Sequence, residues 1–319
     1  MTNRYIILMC LFVMFLTNSC RKENEFNVTS YPVTDILTTT AACKGIVILY
    51  NEPKLKARGF CWSTHELPTI FDDKTTGGKG EGKGDYTCVI TGLTPNTKYY
   101  IRAYATNRKE TVYGPQYEFK TFEGTFTDID GNVYPYVTIG TQIWMGANLK
   151  VSHFRNGEAI PNVEIDSVWK NLTSGASCKY EKYPEMGLRY GKLYNWYAVH
   201  DNRSIAPEGW HIPSDAEWNT LVDYIGADSI AGGKMKSNAY FYWTINVGAT
   251  NESNFSALLA GRRDNFGEYS LEGGCAYFWS STFYNGNMAY YRRLQIMDTD
   301  VKNDIIEKKY GCSVRCVKD

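Results

Sequence analysis

Residues 206–218 read Ala-Pro-Glu-Gly-Trp-His-Ile-Pro-Ser-Asp-Ala-Glu-Trp, and this stretch contains the clearest helix start in the chain. Ser214 and Glu217 have the spacing of a capping box, in which each side chain accepts a hydrogen bond from a backbone amide at the helix start. Gly226 ends the pattern. Four apolar residues between these points recur at helical spacing: Trp218, Leu221, Val222 and Ile225. The pattern predicts one amphipathic helix whose apolar face packs against strands.

The sequence on both sides of this helix indicates short strands. Seven of the eight tryptophans follow Phe122, and asparagine, glycine and serine interrupt the apolar segments there. The predicted strands occupy residues 133–139, 142–145, 255–259, 277–283, 288–296 and 312–317, with a helical turn near 194–199. This mixture predicts an α+β domain in which long loops cover a small sheet.

The segment Asp128-Ile129-Asp130-Gly131-Asn132 has two interpretations. Its Asp-Gly pair supplies the positive φ of a hairpin turn between two strands. The acidic spacing also resembles the start of an EF-hand calcium loop, but Val137 occupies the position where that loop has its glutamate. The spacing favours the hairpin and leaves calcium binding as the alternative.

Six ordered motifs carry a resemblance to a known family. They are Asp-Gly-Asn-Val-Tyr (130–134), Ile-Trp-Met-Gly-Ala-Asn-Leu (143–149), Tyr-Gly-Lys-Leu-Tyr-Asn-Trp-Tyr-Ala-Val (190–199), the stretch at 206–218, Phe-Trp-Ser-Ser-Thr (278–282) and Gly-Cys-Ser-Val-Arg-Cys-Val (311–317). In this order they resemble the FISUMP domain, the Fibrobacter succinogenes major paralogous domain, over residues 124–319. The resemblance implies an envelope protein of Gram-negative bacteria, a fold related to C-type lectins and to the formylglycine-generating enzyme, and no established activity.

The same resemblance implies two disulfide bonds. Family members usually have an aromatic residue at the position of Cys312 and a small residue at that of Cys275, so this chain departs from the family pattern at both positions. The paired departure suggests a disulfide between Cys275 and Cys312, which leaves Cys178 to Cys316. The cysteines form no CxxC pair and no zinc-type cluster with histidine, so no metal site is predicted.

Before Phe122 the apolar segments are short and evenly spaced, at residues 43–50, 57–63, 86–93, 99–107 and 117–122. From Tyr99 onward, buried and partly solvent-exposed positions alternate with the period of two that is typical of a strand in a β-sandwich. The turn at 93–98 followed by Tyr99 has the form of a tyrosine corner, whose hydroxyl bonds the turn backbone. Residues 27–122 therefore resemble a fibronectin type III domain, with an Ig-like β-sandwich.

Three cysteines fall on predicted strands of this sandwich. Tyr86, Cys88 and Ile90 alternate inward, which makes Cys43 and Cys88 candidate neighbours, while Cys61 is left over. Two interpretations stay open. The thiols either pack as small apolar groups or form a single disulfide.

Residues 1–19 have the layout of a lipoprotein signal peptide. Arg4 precedes an apolar run at 5–16 that is too short for a transmembrane helix. Ser19 precedes Cys20, the residue that signal peptidase would expose for lipidation, and residues 20–26 form a tether. We expect a mature protein held on the outer membrane by its N-terminal lipid, with its domains at the cell surface. An ordinary signal peptide cleaved nearby is the alternative.

Charge balance and motif content argue against several functions. The chain has 34 basic and 34 acidic residues, so nucleic acid is not an expected partner. It lacks a P-loop, a Gly-x-Ser-x-Gly elbow, an HExxH motif and a dinucleotide fingerprint, and no cofactor is predicted. His211 is interpreted as a residue that locks a loop. Cys312 and Cys316 could imitate the copper pair of a formylglycine-generating enzyme, but on one strand they would lie roughly 13 Å apart.

Loop-like stretches rich in Trp, Tyr, Asn and Arg favour a non-enzymatic binding or adhesion module over a structural envelope component, which is the alternative. Tips near glycines, at 240–243, 262–265 and 284–287, are expected to project from the domain. We predict that a glycan or protein ligand binds a face formed by five side chains: Trp243, Arg263, Asn265, Tyr284 and Asn287.

Overall fold

The computed structural model describes residues 26–50, 54–75, 82–179, 189–238 and 245–319. The predicted signal peptide, the lipidated Cys20 and the candidate ligand contact Trp243 lie outside these ranges. Within them, no helix is long and apolar enough to cross a membrane. Strands dominate both parts of the chain, and the helices of the described segments all follow Phe122.

Two sheets pack together in the first part of the chain. Their strands are β1 (Phe26–Ser30), β2 (Thr40–Leu49), β3 (Ala57–Ser63), β4 (Asp73–Lys74), β5 (Gly84–Thr91), β6 (Lys98–Thr106), β7 (Thr111–Tyr113) and β8 (Tyr117–Lys120). One sheet has the order β1-β2-β5, and the other has the order β4-β3-β6-β7 with β8 also paired to β6. Both sheets contribute to one apolar cluster, which includes Val47 of β2 and Ile101 of β6. The predicted β-sandwich is confirmed.

The tyrosine corner forms as the sequence predicts. The Thr94 amide donates a 3.0 Å hydrogen bond to the hydroxyl of Tyr99, and the Tyr99 ring stacks on Phe119 with centroids 5.7 Å apart. Asn96 supplies a left-handed residue in the turn, with a φ of 53°. The corner fixes the direction in which β6 leaves the turn and enters the core.

The second part of the chain combines small sheets with short helices. Its strands are β9 (Gly124–Thr127), β10 (Val133–Ile139), β11 (Gln142–Met145), β12 (Ser177–Cys178), β13 (Leu193–Tyr194), β14 (Trp210–His211), β15 (Arg262–Arg263), β16 (Tyr269–Ser270), β17 (Cys275–Asn285), β18 (Met288–Gln295), β19 (Lys302–Glu307) and β20 (Val317–Lys318). Its helices are α1 (Asp166–Trp169), α2 (Trp196–Val199), α3 (Asp215–Ile225) and α4 (Asp228–Met235). The largest sheet has the order β14-β20-β11-β10-β9, and another has the order β17-β18-β19.

Helix α3 has the predicted capping box. The Ser214 hydroxyl accepts a hydrogen bond from the Glu217 amide at 3.3 Å, and a Glu217 carboxylate oxygen accepts one from the Ser214 amide at 2.8 Å. The four predicted apolar residues of the helix are buried. Trp218 contacts Phe278 of β17, with ring centroids 5.8 Å apart. The helix therefore docks on the β17-β18-β19 sheet through its predicted face.

The Asp128–Asn132 segment is a hairpin turn between β9 and β10, as the spacing favours. One carboxylate oxygen of Asp128 accepts hydrogen bonds from the amides of Asp130 and Asn132, each at 2.9 Å. The other accepts from the Asn132 side chain at 2.9 Å and from the Tyr134 hydroxyl at 2.6 Å. Each oxygen of the Asp128 carboxylate thus accepts two hydrogen bonds from within the protein, and these bonds stabilise the turn.

Two predicted strands form only in part. Residues 255–259 contain only a bridge at Ala257, and in 312–317 the pairing at Cys312, Ser313 and Val317 is interrupted by an irregular stretch at 314–316. Arg315 satisfies part of this backbone, because its guanidinium donates to the carbonyls of Phe255 at 2.7 Å and Ser256 at 2.9 Å. The apolar pattern predicted correctly that these segments are buried. It does not distinguish a strand from an irregular segment, because buried backbone carbonyls can accept hydrogen bonds from a guanidinium as well as from a neighbouring strand.

The seven described cysteines are free thiols, so neither predicted disulfide is formed. Cys178 is buried in a small cluster with Trp169, whereas Cys316 belongs to the main core. Cys275 and Cys312 share the main core without a bond between them. Burial raises the pKa of both thiols. Both thiols therefore pack as small apolar groups in the core.

Phe122 lies at the junction of the two parts. Its side chain is only 3% exposed and packs in the second core with Val137 and Trp144. Its amide donates a 3.2 Å hydrogen bond to the carbonyl of Leu37 in the first part, and Ile36 contacts both cores. A cut after Phe122 would therefore remove a core side chain from the second part.

Candidate functional site

The β17–β18 hairpin extends beyond the core of the second part. The first six residues of β17 are buried, whereas its last three are exposed. Phe283 and Tyr284 stand at this end with 48% and 43% of their surface exposed. Gly286 turns the chain back into β18 with a φ of 36°. The hairpin thus presents two aromatic rings to solvent on a strand that is anchored in the core.

Contacts from neighbouring strands hold the tip in place. The Tyr284 ring meets Tyr290 edge to face, with centroids 5.3 Å apart. The Lys308 ammonium lies 4.4 Å from the Phe283 ring centroid and 4.8 Å from that of Trp196. It also donates a 2.8 Å hydrogen bond to the Gly286 carbonyl. These contacts restrict the rings before any ligand arrives, which lowers the entropy lost on binding.

Both predicted asparagines lie at the same end of the sheet. Asn287 accepts a hydrogen bond from the Tyr197 hydroxyl at 3.3 Å. Asn265 donates one to Glu307 of β19 at 3.2 Å, and Glu307 is paired in register with Met288, the neighbour of Asn287. Burial, and secondarily the charge of Glu307, raise the pKa of Tyr197. We use the name tip face for the side chains at this end of the sheet, which are Tyr197, Asn265, Phe283, Tyr284 and Asn287.

Arg263 was predicted to contact ligand, and this prediction is wrong. Arg263 is completely buried. Its guanidinium donates to Asp166 at 2.7 Å and to the carbonyls of Gly267 at 2.7 Å and Glu164 at 2.6 Å. Gly267 does mark a turn, as the sequence predicts. Arg263, however, belongs to strand β15 before this turn, and Phe266 is the large apolar side chain that the turn exposes.

Three residues of the tip face or its support have no clear signal of their own in the sequence: Phe283, Tyr197 and Lys308. Phe283 ends an apolar segment, which predicts a position in a core strand. The dipeptide Asn285-Gly286 between two apolar segments is a strong hairpin signal, and it would have placed Phe283 near the tip. Tyr197 and Lys308 are distant in sequence, so no local signal links them to the hairpin.

His211 is a structural link rather than a free acid or base. One ring nitrogen lies 2.7 Å from a Glu217 carboxylate oxygen and the other lies 2.6 Å from Asp319. These bonds join the capping box of α3 to the segment after β20. Among the described residues, no group of three or more His, Cys, Asp or Glu side chains is placed to hold a metal ion.

The sandwich also has a surface cleft, with a volume of about 400 Å³. Trp62, Thr64, Phe71, Asp72 and Tyr99 contribute to its lining. The Phe71 ring is 93% exposed. Asp72 is already engaged, because it accepts a 2.7 Å hydrogen bond from the Thr69 amide and lies 2.9 Å from a His65 ring nitrogen. The acidic group of this cleft is therefore already paired within the sandwich.

Some solved structures are similar to about a third of this chain. The sensor domain of the anti-sigma factor RsgI4 of Pseudobacteroides cellulosolvens is 17% identical over 31% of this chain and 95% of that chain, with a TM-score of 0.23. A fibronectin type III domain derived from human KIAA0970 protein is 15% identical over 34% of this chain and 80% of that chain, also with a TM-score of 0.23. At these TM-scores, neither similarity supports a conclusion about function.

Sequence comparison gives a clearer result. No curated protein matches the chain. Residues 137–318, however, match the Fibrobacter succinogenes major domain, and the region includes five of the six motifs described above in full. Because this match covers more than half of the 319 residues, the chain belongs to the Fibrobacter succinogenes major domain family.

Proposed function

We propose that this protein is a non-enzymatic surface module that binds a glycan or protein ligand through the tip face. One observation carries the proposal: Phe283 and Tyr284 are exposed on a hairpin that Lys308 and Tyr290 hold rigid. Large aromatic side chains in this position lose water on contact and need little further ordering. Buried positions would be expected if these rings served only the core.

The chemistry of the tip face suits a ligand that is uncharged or that carries both positive and negative charges. Aromatic faces stack against the apolar faces of sugars and against apolar protein side chains. The amides of Asn265 and Asn287 each offer a donor and an acceptor, which are suited to hydroxyl or backbone groups. Glu307 and Lys308 lie beside them with opposite charges. A strongly charged ligand such as nucleic acid is not favoured by this arrangement.

The proposal includes anchoring at the outer membrane through Cys20, with the domains at the cell surface. It also includes the C-type-lectin-like relationship that the family resemblance implies for the second domain. Cys20→Ala is expected to abolish incorporation of a fatty-acid probe. Protease shaving of intact cells should release the domains, and full protection would instead place them on the periplasmic side.

Binding can be tested with residues 21–319 on glycan and protein arrays. The triple variant Phe283→Ala, Tyr284→Ala, Asn287→Ala should lose binding by tenfold or more, because one hot-spot side chain contributes on the order of 1 kcal/mol or more. Tyr224→Ala is the matched control, since Tyr224 is 68% exposed on α3 and lies outside the tip face.

The control variant should keep full binding, and the triple variant should keep a nearly unchanged melting temperature. Retained binding in the triple variant would move the ligand site elsewhere. A large loss of stability would show that these side chains serve the core. A chain that binds nothing on either array would favour the structural envelope role instead.

A further inference from the structure

The sandwich contains two thiols in direct cross-strand register. Cys43 of β2 and Cys88 of β5 are paired residues of the antiparallel ladder. Directly opposite residues in such a ladder have Cα atoms about 4.5–5.5 Å apart. A disulfide requires Cα atoms about 4.4–6.8 Å apart. The backbone of the folded sandwich therefore already has a spacing that a disulfide can span.

The side chains and the access route also suit this chemistry. Both residues point toward the inner side of the sheet, where Cys43 is 3% exposed and Cys88 is half-buried. Because β5 is the outer strand of the β1-β2-β5 sheet, a reagent can reach Cys88 from the sheet edge. The Thr75 hydroxyl lies 3.6 Å from the Cys88 sulfur, at hydrogen-bonding distance for sulfur.

The two thiols differ in acidity. Hydrogen bonds from Cys43 and then Thr75, opposed by burial, lower the pKa of the Cys88 thiol to about 7. The hydrogen bond to Cys88 and burial raise the pKa of Cys43. Cys88 is therefore the thiolate that attacks, and Cys43 is the protonated partner that resolves. By contrast, burial raises the pKa of Cys61 to about 12, so the third thiol of the sandwich is inert.

We propose that Cys43 and Cys88 are a thiol–disulfide site that a small-molecule or protein disulfide oxidises in the folded sandwich. The Cys88 thiolate attacks one sulfur of the oxidant, whose S–S bond breaks and releases one thiolate. Cys43 then loses its proton and attacks the Cys88 sulfur of the mixed disulfide, which releases the second thiolate. Two protein thiols and one oxidant disulfide become one protein disulfide and two oxidant thiols. The new bond ties the outer strand β5 to β2.

The test uses the full chain, reduced and then exposed to glutathione disulfide. After the remaining thiols are alkylated, a peptide map should contain a Cys43–Cys88 linked pair that is lighter by two hydrogen atoms. The linking rate should rise about fivefold from pH 6 to pH 7 and only about twofold from pH 7 to pH 8, following the thiolate fraction. An ordinary thiol would give about tenfold at each step.

Variants separate the pair from the other thiols. Cys88→Ser should leave Cys43 reduced, and Cys61→Ser should link at the wild-type rate. Thr75→Val should slow linking several-fold, and Thr75→Ser should restore it. A glutathione adduct that persists on Cys88 without closing, a link through Cys61, or no reaction at Cys88 would each overturn the proposal.

Discussion

The two parts of the molecule satisfy their buried backbone in different ways. In the sandwich, long strands pair with one another, and the described residues before Phe122 include no charged side chain that is buried. The second part has shorter strands and longer irregular segments, and its described residues include five buried cationic side chains: Lys192, Lys236, Arg263, Arg292 and Arg315. Three of these cations, Lys236, Arg263 and Arg315, donate hydrogen bonds to backbone carbonyls, which in the sandwich are bonded by neighbouring strands.

The partners of Lys236 and Arg263 illustrate this difference. The Lys236 ammonium donates to three backbone carbonyls, those of Val247, Gln295 and Asp298, at 2.7 to 2.9 Å. Arg263 joins two loops that lie almost 100 residues apart in sequence, through the Glu164 carbonyl and the Asp166 side chain. A guanidinium presents five donors in a fixed plane, so one side chain can bind several carbonyls that face different strands or loops.

The largest expected effect comes from removing one such cation. Arg315→Met should lower the free energy of unfolding of the second part by about 4 kcal/mol or more, since each buried acceptor left unpaired costs about 1–3 kcal/mol. Those acceptors are the carbonyls of Met145, Phe255 and Ser256 and the side chain of Asn148. Urea unfolding followed by tryptophan fluorescence measures this change, because seven of the eight tryptophans follow Phe122.

Arg102→Met is the matched control from the sandwich. Arg102 is half-buried, donates to one carbonyl, that of Gly114, and lies over the Tyr113 ring. Its loss should cost about 1 kcal/mol, the ordinary value of a single hydrogen bond. Equal effects of the two substitutions would contradict the idea that only the second part depends on buried cations.

The next effect concerns the junction. Phe122→Ala should destabilise the second part by about 3–4 kcal/mol, because a phenylalanine is removed from a packed core. Hydrogen exchange followed by mass spectrometry should report faster exchange in β10, β11 and α3, with β3 and β6 unchanged. For the same reason, a fragment of residues 122–319 should melt at a higher temperature than one of residues 124–319. Equal melting of the two fragments would support the boundary predicted from the sequence.

Most of the sandwich could be predicted from sequence, because its strands are amphipathic and its corner has a local signature. The predicted strand at 57–63 has the observed limits of β3. In the second part, the capped helix was predictable for the same reason. Strand β19 was missed because its first three residues, Lys302, Asn303 and Asp304, are exposed and polar. Arg263 and Arg315 could not be assigned, because their acceptors come from distant loops and leave no local pattern.

Part of the candidate site was predictable on similar grounds. Tyr284 and Asn287 flank Gly286, so the hairpin tip is predictable from the sequence, and the structure connects the predicted Asn265 to this tip through Glu307. Arg263 was misplaced because a charged residue near a glycine usually indicates an exposed tip. Nothing in the local sequence distinguishes an exposed arginine from one whose donors are all used inside the domain.

A smaller effect tests the corner of the sandwich. Tyr99→Phe should destabilise the first part by about 1 kcal/mol, because the Thr94 amide loses its hydrogen-bond acceptor. Tyr117→Phe is the control, since this tyrosine packs against the same core from the neighbouring strand β8. Exchange rates of β6 peptides should rise in the first variant and stay at the wild-type level in the second. Equal rates in the two variants would show that the corner bond contributes no stability.

The smallest expected effect is the pH dependence of the link at His211. Burial opposes protonation of this side chain, but hydrogen bonds to Asp319 and Glu217 outweigh it and raise the pKa of His211. A group with a raised folded pKa stabilises the fold fully below its unfolded pKa, about 6.5, and loses that contribution as the pH rises through the folded value. His211→Gln should therefore destabilise the second part most below about pH 6.5, and the difference from wild type should shrink at higher pH.

Because the His211 side chain is 42% exposed, solvent screens its ion pairs, and the difference in unfolding free energy should stay below about 1 kcal/mol. The difference is measured by urea unfolding followed by tryptophan fluorescence at each pH. The control His65→Gln, in the sandwich, should leave this transition unchanged. A difference for His211→Gln that does not vary with pH would mean that His211 contributes through packing rather than through charge.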